Sequence, residues 1–188
     1  MKMRHRHRVL RRMKRLVWFY RISSVSLFTL SFIVLLGGAG FRVNLTPSEP
    51  LGLWRIVEPD RPILVGDLIF ICPPSTDAMR DARARGYLRF GLCAGHVAPL
   101  IKTVVASSGQ AIEIQDEVHV DGRTLPHSRV ARLDGQGREM GHYDGGVVPP
   151  GTVFVHSQFP GSFDSRYFGP LPMDGILGLA QEVWTYAP

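Results

Sequence analysis

The chain has 188 residues, of which 45% are hydrophobic, and it carries a formal net charge of +6. This length suits about one domain with an adequate core, so a disordered chain, a collagen-like repeat and a disulfide-dense miniprotein are excluded. The positive charge lies at one end, because residues 1–21 hold nine Lys or Arg and no acid, whereas residues 22–188 hold 13 basic and 16 acidic residues. The body is therefore mildly acidic, and we expect no nucleic-acid partner.

An uncharged segment of 20 residues, 22–41, follows the basic end. As a helix it would span roughly the 30 Å hydrocarbon core of a bilayer. We expect a transmembrane signal-anchor at 22–41, a cytoplasmic basic tail at 1–21 and an exported domain at 42–188, as the positive-inside rule requires. A cleaved secretory signal is the alternative, since small residues follow the apolar stretch. The apolar run is longer than the about 7–15 residues typical of a signal peptide, which favours the uncleaved anchor.

The exported part shows short apolar runs separated by Gly and Pro, which predicts one compact, mainly β domain. Ile63–Ile71 and Leu100–Ala106 are rich in β-branched residues and are predicted to be central strands. Ser75–Arg85 is predicted to be the soluble helix, with Ser75 or Thr76 as its N-cap. Asp121-Gly122 predicts a tight turn. The remaining predicted strands are Ala111–Ile114, Val118–Val120, Thr152–His156 and Gly175–Tyr186.

Cys72 and Cys93 lie on either side of the predicted helix, 21 residues apart. An exported domain folds in an oxidising compartment, so a disulfide that closes the insertion 72–93 is favoured over two free thiols. Closing a loop of this size stabilises a protein by about 3 kcal/mol in the chain-entropy model. A zinc pair is the alternative, but no CxxC or HExxH spacing accompanies the two cysteines, and no metal site is predicted.

After Lys14 the sequence contains a single further lysine, Lys102, inside the apolar run Leu100–Ala106. Two interpretations remain open. A buried ammonium is costly to keep charged, so burial would lower its pKa and make the amine a general base near neutral pH. Alternatively, the alternation of side chains along a strand would simply point this lysine into water.

Ser48 lies between Pro47 and the Glu49-Pro50 pair in the segment that follows the apolar run. The two prolines restrict the backbone on both sides and keep it out of a helix. The sequence therefore allows either a rigidly presented hydroxyl, as a nucleophile needs, or an ordinary Pro/Ser turn. Local chemistry alone does not decide between them.

Three segments resemble the motifs of the type I signal peptidase family, in the family's order. TPSEPLGLW resembles the serine motif, LIKTVVASSGQAIEI the lysine motif and GSFDSRYFGPLPMDGILG the late Ser-x-Asp-Ser-Arg motif. The Pro-Ser-x-Pro-x-Gly-Leu-Trp form and the insertion before the lysine motif are similar to the conjugative-transfer branch, whose members process a pilin subunit. The resemblance implies a coiled antiparallel β-sheet domain with one N-terminal transmembrane helix and a small helical insertion.

The resemblance also assigns roles to individual residues. Ser48 would be the nucleophile and neutral Lys102 the general base, while the Thr46 hydroxyl and the Ser48 N–H would stabilise the oxyanion. Ser162 would hydrogen-bond the lysine and orient it, and an ion pair of Asp164 with Arg166 would support the loop; GSFDSR is alternatively only a turn that caps backbone N–H groups. No metal or other cofactor is required. The insertion 72–93 is expected at a distance from these residues.

The implied function is that of a single-pass serine endopeptidase of the bacterial inner membrane, with its catalytic domain in the periplasm. Its substrate would be an exported protein precursor, most specifically a conjugative pilin. A general leader peptidase and a non-catalytic pilus-assembly protein are the alternatives. Self-cleaving repressors share such a dyad but are soluble DNA-binding proteins. The sequence departs from the general leader peptidases by carrying His156-Ser157-Gln158 where they have a Gly-Asp-Asn-Arg run.

Overall fold

The computed structural model of the protein describes residues 2–186, with side chains described from residue 18 onward. The side chains of the predicted basic tail therefore lie outside the described residues as far as residue 17. The chain forms two compact units, residues 1–41 and residues 42–188. The first is dominated by helix α1 (Lys2–Gly38), and the second contains the β structure.

Helix α1 contains a span, Trp18–Gly38, that by length and composition is able to cross a membrane. The span has 21 residues and a mean hydropathy of 1.7, and none of its most apolar stretch is buried in protein. The helix ends at Gly38, earlier than the predicted boundary at residue 41, and Phe41 begins the first strand. Gly40 has a φ of +88°, a conformation that glycine adopts at little cost, so the chain turns out of the helix there.

Twelve strands and two short α-helices follow helix α1 in the described residues. The strands are β1 (Phe41–Asn44), β2 (Leu51–Val57), β3 (Leu68–Ile71), β4 (Phe90–Cys93), β5 (Leu100–Ser107), β6 (Ala111–Ile114), β7 (Val118–Val120), β8 (Arg123–Thr124), β9 (Gly146–Val147), β10 (Thr152–His156), β11 (Leu171–Pro172) and β12 (Ile176–Tyr186); the helices are α2 (Asp77–Ala84) and α3 (Ser165–Phe168). Eleven of the strands form two antiparallel sheets. The larger sheet has seven strands in the order β1-β2-β12-β3-β5-β10-β11, and the smaller has four in the order β8-β7-β6-β9. Strand β4 lies outside both sheets and bridges to Val97.

Strand β5 lies in the interior of the larger sheet, between β3 and β10, as predicted from its apolar composition. Its side chains alternate between two buried surfaces. Val104 packs with Ile69, Ile71 and Val155 in the main core, whereas Ile101 packs with Trp54 and Phe70 on the opposite face. Ile101, Lys102 and Val104 are all buried, so side chains on both faces of β5 are removed from water there.

The prediction of a single strand over Ile63–Ile71 is wrong in its first half, where the chain makes a turn and only Leu68–Ile71 is extended. The Asp67 carboxylate accepts hydrogen bonds from the Arg61 guanidinium at 2.7 and 2.8 Å and from the Leu64 N–H at 2.8 Å. These local bonds, with Gly66 at a φ of +100°, outweigh the β propensity of the apolar residues. The other predicted strands are present within one or two residues of their predicted bounds.

The predicted helical insertion is present as α2, and Thr76 is its N-cap, with its hydroxyl accepting a hydrogen bond from the Met79 N–H at 3.3 Å. Met79 and Ala82 turn inward and pack against the main core. Cys72 and Cys93 form the predicted disulfide, with their Cα atoms 5.5 Å apart. The bridge joins the end of β3 to the end of β4 and so closes the insertion at its base.

Replacing both Cys72 and Cys93 with serine should lower the free energy of unfolding by about 3 kcal/mol, because the unfolded chain gains the conformations that the bridge forbids. Chemical denaturation of the detergent-solubilised protein measures this change. Wild-type protein denatured in the presence of reductant is the matched control and should resemble the double variant. Alkylation of both thiols in the native protein without reductant would contradict the bridge.

Candidate active site

The three motif segments converge on one cleft in the second unit, with a volume of about 1150 Å³. Thr46 and Ser48 line it from the segment between β1 and β2, Lys102 from the middle of β5, and Ser162 from the segment after β10. The structure therefore brings together four residues from three segments that are far apart in the sequence. Asp164 and Arg166 do not line the cleft. They are fully buried, and they follow Ser162 closely in the sequence.

The segment that carries Ser48 is held by the side chain of Asn44, the last residue of β1. The Asn44 amide donates to the carbonyls of Thr46 and Glu49, both at 2.9 Å, and to that of Pro50 at 3.0 Å. Its carbonyl oxygen accepts from the Thr46 N–H at 3.1 Å. One buried side chain thus satisfies both ends of the turn, which gives the hydroxyl of Ser48 a defined position. Sequence reasoning missed Asn44, although an asparagine before a Pro/Ser segment is typical of such turns.

The Thr46 hydroxyl lies beside the proposed nucleophile but is already engaged. Its Oγ1 donates to the Asn44 side-chain oxygen at 2.8 Å and is 3.5 Å from Ser48 Oγ. A hydroxyl has one proton, so Thr46 stabilises an oxyanion only if its hydroxyl rotates away from Asn44. The predicted oxyanion role of Thr46 therefore requires that rotation, whereas the Ser48 N–H needs none.

Lys102 is buried, with 2% of its surface exposed, and pairs with Ile69 of the neighbouring strand. This excludes the interpretation of a lysine that points into water. Burial lowers the Lys102 pKa to about 8, although the negative charges of Asp164 and Glu49 act to raise it. Arg166 adds to the lowering. A substantial fraction of the amine is therefore neutral in mildly alkaline solution, as a general base requires.

The predicted ion pair is present and fully buried. Arg166 Nε lies 2.7 Å from Asp164 Oδ1 and Arg166 Nη2 lies 2.9 Å from Asp164 Oδ2, so the contact is bidentate. The remaining guanidinium hydrogens bind the carbonyls of Ser162 at 2.9 Å and Arg129 at 2.8 Å. Asp164 also caps helix α3 and accepts from the Ser157 N–H at 3.2 Å. This pair fixes the backbone of the segment that brings Ser162 to the cleft.

The Ser162 hydroxyl is buried and makes no hydrogen bond with any described residue. The predicted bond from Ser162 to Lys102 is therefore not formed in this structure, although both residues line the same cleft. The backbone of Ser162 is held at both ends, since its N–H donates to the Phe159 carbonyl at 2.9 Å and its carbonyl binds Arg166. Only its side chain is left to rotate, so the hydroxyl remains available to a charged amine.

Glu49 is a further ionisable group at the site that sequence reasoning missed. Partial burial raises the pKa of its carboxyl, whereas the positive charge of Lys102 and the Ser157 hydroxyl act to lower it. The acid follows Ser48 directly in the sequence. Its position next to Ser48 in the sequence could have indicated a role at the site. An acid next to a proline is usual in loops, however, so the sequence alone does not single it out.

Residues of the insertion 72–93 and of the segment 131–140 also line the cleft. The Tyr87 hydroxyl donates to Asp134 Oδ2 at 2.7 Å, and Arg138 Nη2 donates to the Arg85 carbonyl at 3.0 Å, so the two segments are joined. The expectation that the insertion lies away from the dyad is therefore wrong. Tyr87 and Leu92 line the same cleft as Ser48, and Phe90 and Cys93 of β4 bridge to Val97, shortly before β5 begins.

A family model described as signal peptidase, peptidase S26, matches residues 13–185. The chain belongs to this family. It is 66% identical to a probable conjugal transfer protein TraF of Sinorhizobium fredii (strain NBRC 101917 / NGR234), over 79% of each chain. It is 60% identical to the conjugal transfer protein TraF of Agrobacterium tumefaciens (strain 15955), over 79% of this chain and 85% of that one.

A plasmid transfer protein TraF of Escherichia coli is 35% identical, over 79% of this chain and 85% of the relative. A solved signal peptidase I from Enterococcus faecalis V583 aligns with a TM-score of 0.39 and 18% identity, over 63% of this chain and 97% of the other. The resemblance to the signal peptidase family and its conjugative-transfer branch is confirmed. The mainly β fold with an antiparallel sheet, few helices and an N-terminal apolar helix is confirmed as well.

Changing Asp164 to asparagine should lower the free energy of unfolding by about 3–5 kcal/mol, because it leaves the buried Arg166 guanidinium without a compensating charge. Urea denaturation of the detergent-solubilised protein measures the effect. The matched control is Asp116→Asn, which removes an exposed carboxylate 3.9 Å from Arg132 and should leave the midpoint unchanged. Equal effects of the two substitutions would contradict a structural role for the buried pair.

Proposed function

We propose that the protein is a membrane-anchored serine endopeptidase that cleaves the precursor of a conjugative pilin with a Ser48/Lys102 dyad. The observation that carries this proposal is the state of Lys102, a lysine 2% exposed with a pKa of about 8 in the cleft that Ser48 lines. A fold with no use for a neutral amine would gain stability from an apolar residue at this buried position. The burial is therefore better explained by chemistry than by packing.

In the proposed reaction, Ser48 Oγ bonds to the scissile carbonyl carbon while its proton passes to the neutral Lys102 Nζ. The Ser48 N–H and the rotated Thr46 hydroxyl bind the oxyanion that forms. Collapse of the intermediate breaks the C–N bond, and the Lys102 ammonium protonates the departing amine. Lys102, neutral again, then activates water, which hydrolyses the acyl ester and restores Ser48. The Ser162 hydroxyl would orient the amine after rotating toward it.

Family membership and the names of the relatives support a protein substrate and a part in conjugation. The chain belongs to a family of signal peptidases, and relatives that are 35% to 66% identical to it are named for conjugal or plasmid transfer. The resemblance to the conjugative-transfer branch implies that this substrate is a pilin precursor. The apolar span Trp18–Gly38 would anchor the enzyme in the inner membrane, and the positive-inside rule would direct the catalytic domain to the periplasm.

Ser48→Ala and Lys102→Arg should each abolish cleavage while leaving the protein folded and in the membrane fraction. Alanine supplies no nucleophile, and arginine does not deprotonate. The assay incubates detergent-solubilised protein with the conjugative pilin precursor of Agrobacterium tumefaciens strain 15955 and follows its shortening by mass spectrometry. Ser108→Ala and Lys14→Arg are matched controls that should cleave normally. Cleavage by either dyad variant would refute the dyad, and equal cleavage of unrelated secreted precursors would indicate a general leader peptidase.

The cleavage rate should rise with pH along a limb centred near pH 8, because only neutral Lys102 accepts the serine proton. An exposed lysine would instead give a midpoint near its usual value of about 10.4. Glu49→Gln should move the midpoint to lower pH, since it removes a negative charge that raises the Lys102 pKa. Initial rates from pH 6 to about 10 measure both. An unmoved midpoint in Glu49→Gln would show that Glu49 does not act on the base.

A further inference from the structure

Ser157 follows strand β10 in the place where the sequence departs from the Gly-Asp-Asn-Arg run of the general leader peptidases. Its side chain is buried, with 2% of the residue exposed. The Ser157 hydroxyl donates a hydrogen bond to the main-chain carbonyl of Ser48, a residue 109 positions earlier in the sequence. Ser157, which lies in the segment that departs from the general pattern, therefore contacts the backbone of the proposed nucleophile.

Ser157 is itself held in place on both sides. Its N–H donates to Asp164 Oδ2 at 3.2 Å, and its hydroxyl oxygen accepts from the Phe159 N–H at 3.3 Å. Asp164 is in turn clamped by the bidentate contact with Arg166. Ser157 therefore connects the buried ion pair, through its N–H, to the nucleophile segment, through its hydroxyl.

The hydrogen bond from Ser157 binds a carbonyl that the Asn44 side chain does not bind. The Asn44 side chain holds Thr46, Glu49 and Pro50, on either side of the nucleophile. The carbonyl of Ser48 itself is bound by Ser157. This carbonyl belongs to the peptide group that joins Ser48 to Glu49, so binding it restricts rotation about the Cα–C bond of Ser48. Without that restraint the residue could tilt, and its Oγ and N–H would move together.

We propose that Ser157 is a positioning residue that fixes the backbone of the nucleophile through its hydrogen bond to the Ser48 carbonyl. It acts through Ser48 and does not contact the substrate. This role rests on the proposed function only for its effect on rate, since the hydrogen bond restrains the segment whether or not Ser48 is catalytic. A misplacement of about 1 Å at a reacting group costs up to about 100-fold in rate, so a single positioning bond has a measurable effect.

A rival role for Ser157 is electrostatic, because its hydroxyl also acts to lower the pKa of Glu49, whose charge in turn raises that of Lys102. The two roles differ in what Ser157→Ala would change. Loss of positioning lowers the maximal rate and leaves the midpoint of the pH profile where it was. Loss of the electrostatic effect on Glu49 would move the midpoint of the pH profile. It would change the maximal rate much less than loss of positioning would.

The experiment compares full-length wild type, Ser157→Ala and Ser157→Thr in detergent micelles. Ser128→Ala is the matched control, since Ser128 is also buried and its hydroxyl binds the backbone at Val118 and Leu125, in the small sheet. Hydrogen–deuterium exchange of the peptide 44–53 reports on restraint of the segment. Cleavage of the Agrobacterium tumefaciens strain 15955 pilin precursor gives kcat, KM and the pH profile.

Ser157→Ala should exchange faster in the segment 44–53 and lose about 10-fold or more in kcat, with KM within about 2-fold of wild type and an unmoved pH midpoint. Ser157→Thr, which keeps the hydroxyl, should restore both slow exchange and rate. Ser128→Ala should change neither. Wild-type exchange in Ser157→Ala, or a shifted midpoint without loss of kcat, would overturn the positioning role. If wild type cleaves no precursor, the proposed function fails, while the exchange measurement still decides whether Ser157 holds the segment.

Discussion

The buried ion pair of Asp164 with Arg166 is the contact on which the rest of the site depends. Both side chains are fully removed from solvent, and an ion pair in that environment persists only when each charge is satisfied by further hydrogen bonds. The additional partners are the backbone at Ser157, Ser162 and Arg129. The pair therefore holds the segment after β10 in place. Its two charges act on the Lys102 pKa in opposite directions, since Asp164 raises it and Arg166 lowers it.

Lys102 illustrates a balance between opposing effects. Desolvation favours the neutral amine, while Asp164 and Glu49 favour the ammonium, and the result is a pKa of about 8. Burial without the carboxylates would lower the pKa further and weaken the base, whereas a solvated lysine would be protonated near neutral pH. The interior position of β5, covered on both faces, produces the desolvation, and the neighbouring segments supply the charges.

Rigidity around the proposed nucleophile comes from polar contacts more than from apolar packing. Asn44 holds the turn from within, and the indole N–H of the buried Trp54 donates to the Pro50 carbonyl at 2.9 Å. Ser157 holds the same turn from the segment that follows β10. Such bonds fix direction as well as distance, which matters for a hydroxyl that must approach a carbonyl along one line. The disulfide-closed insertion also lines the cleft.

The sequence by itself determined the family, the mainly β fold, the apolar N-terminal span and the pairing of Cys72 with Cys93, because motif order, local periodicity and cysteine spacing are properties of short segments. It left open which way Lys102 points, since a period of two residues says that side chains alternate but not what covers each face. It also predicted too long a strand before Ile71, where Asp67 makes a turn, and it placed the insertion at a distance from the dyad, whereas both line one cleft. Only the tertiary structure decided the burial of Lys102 and the contact of Ser157 with Ser48, because both depend on segments that meet only when the sheet has formed.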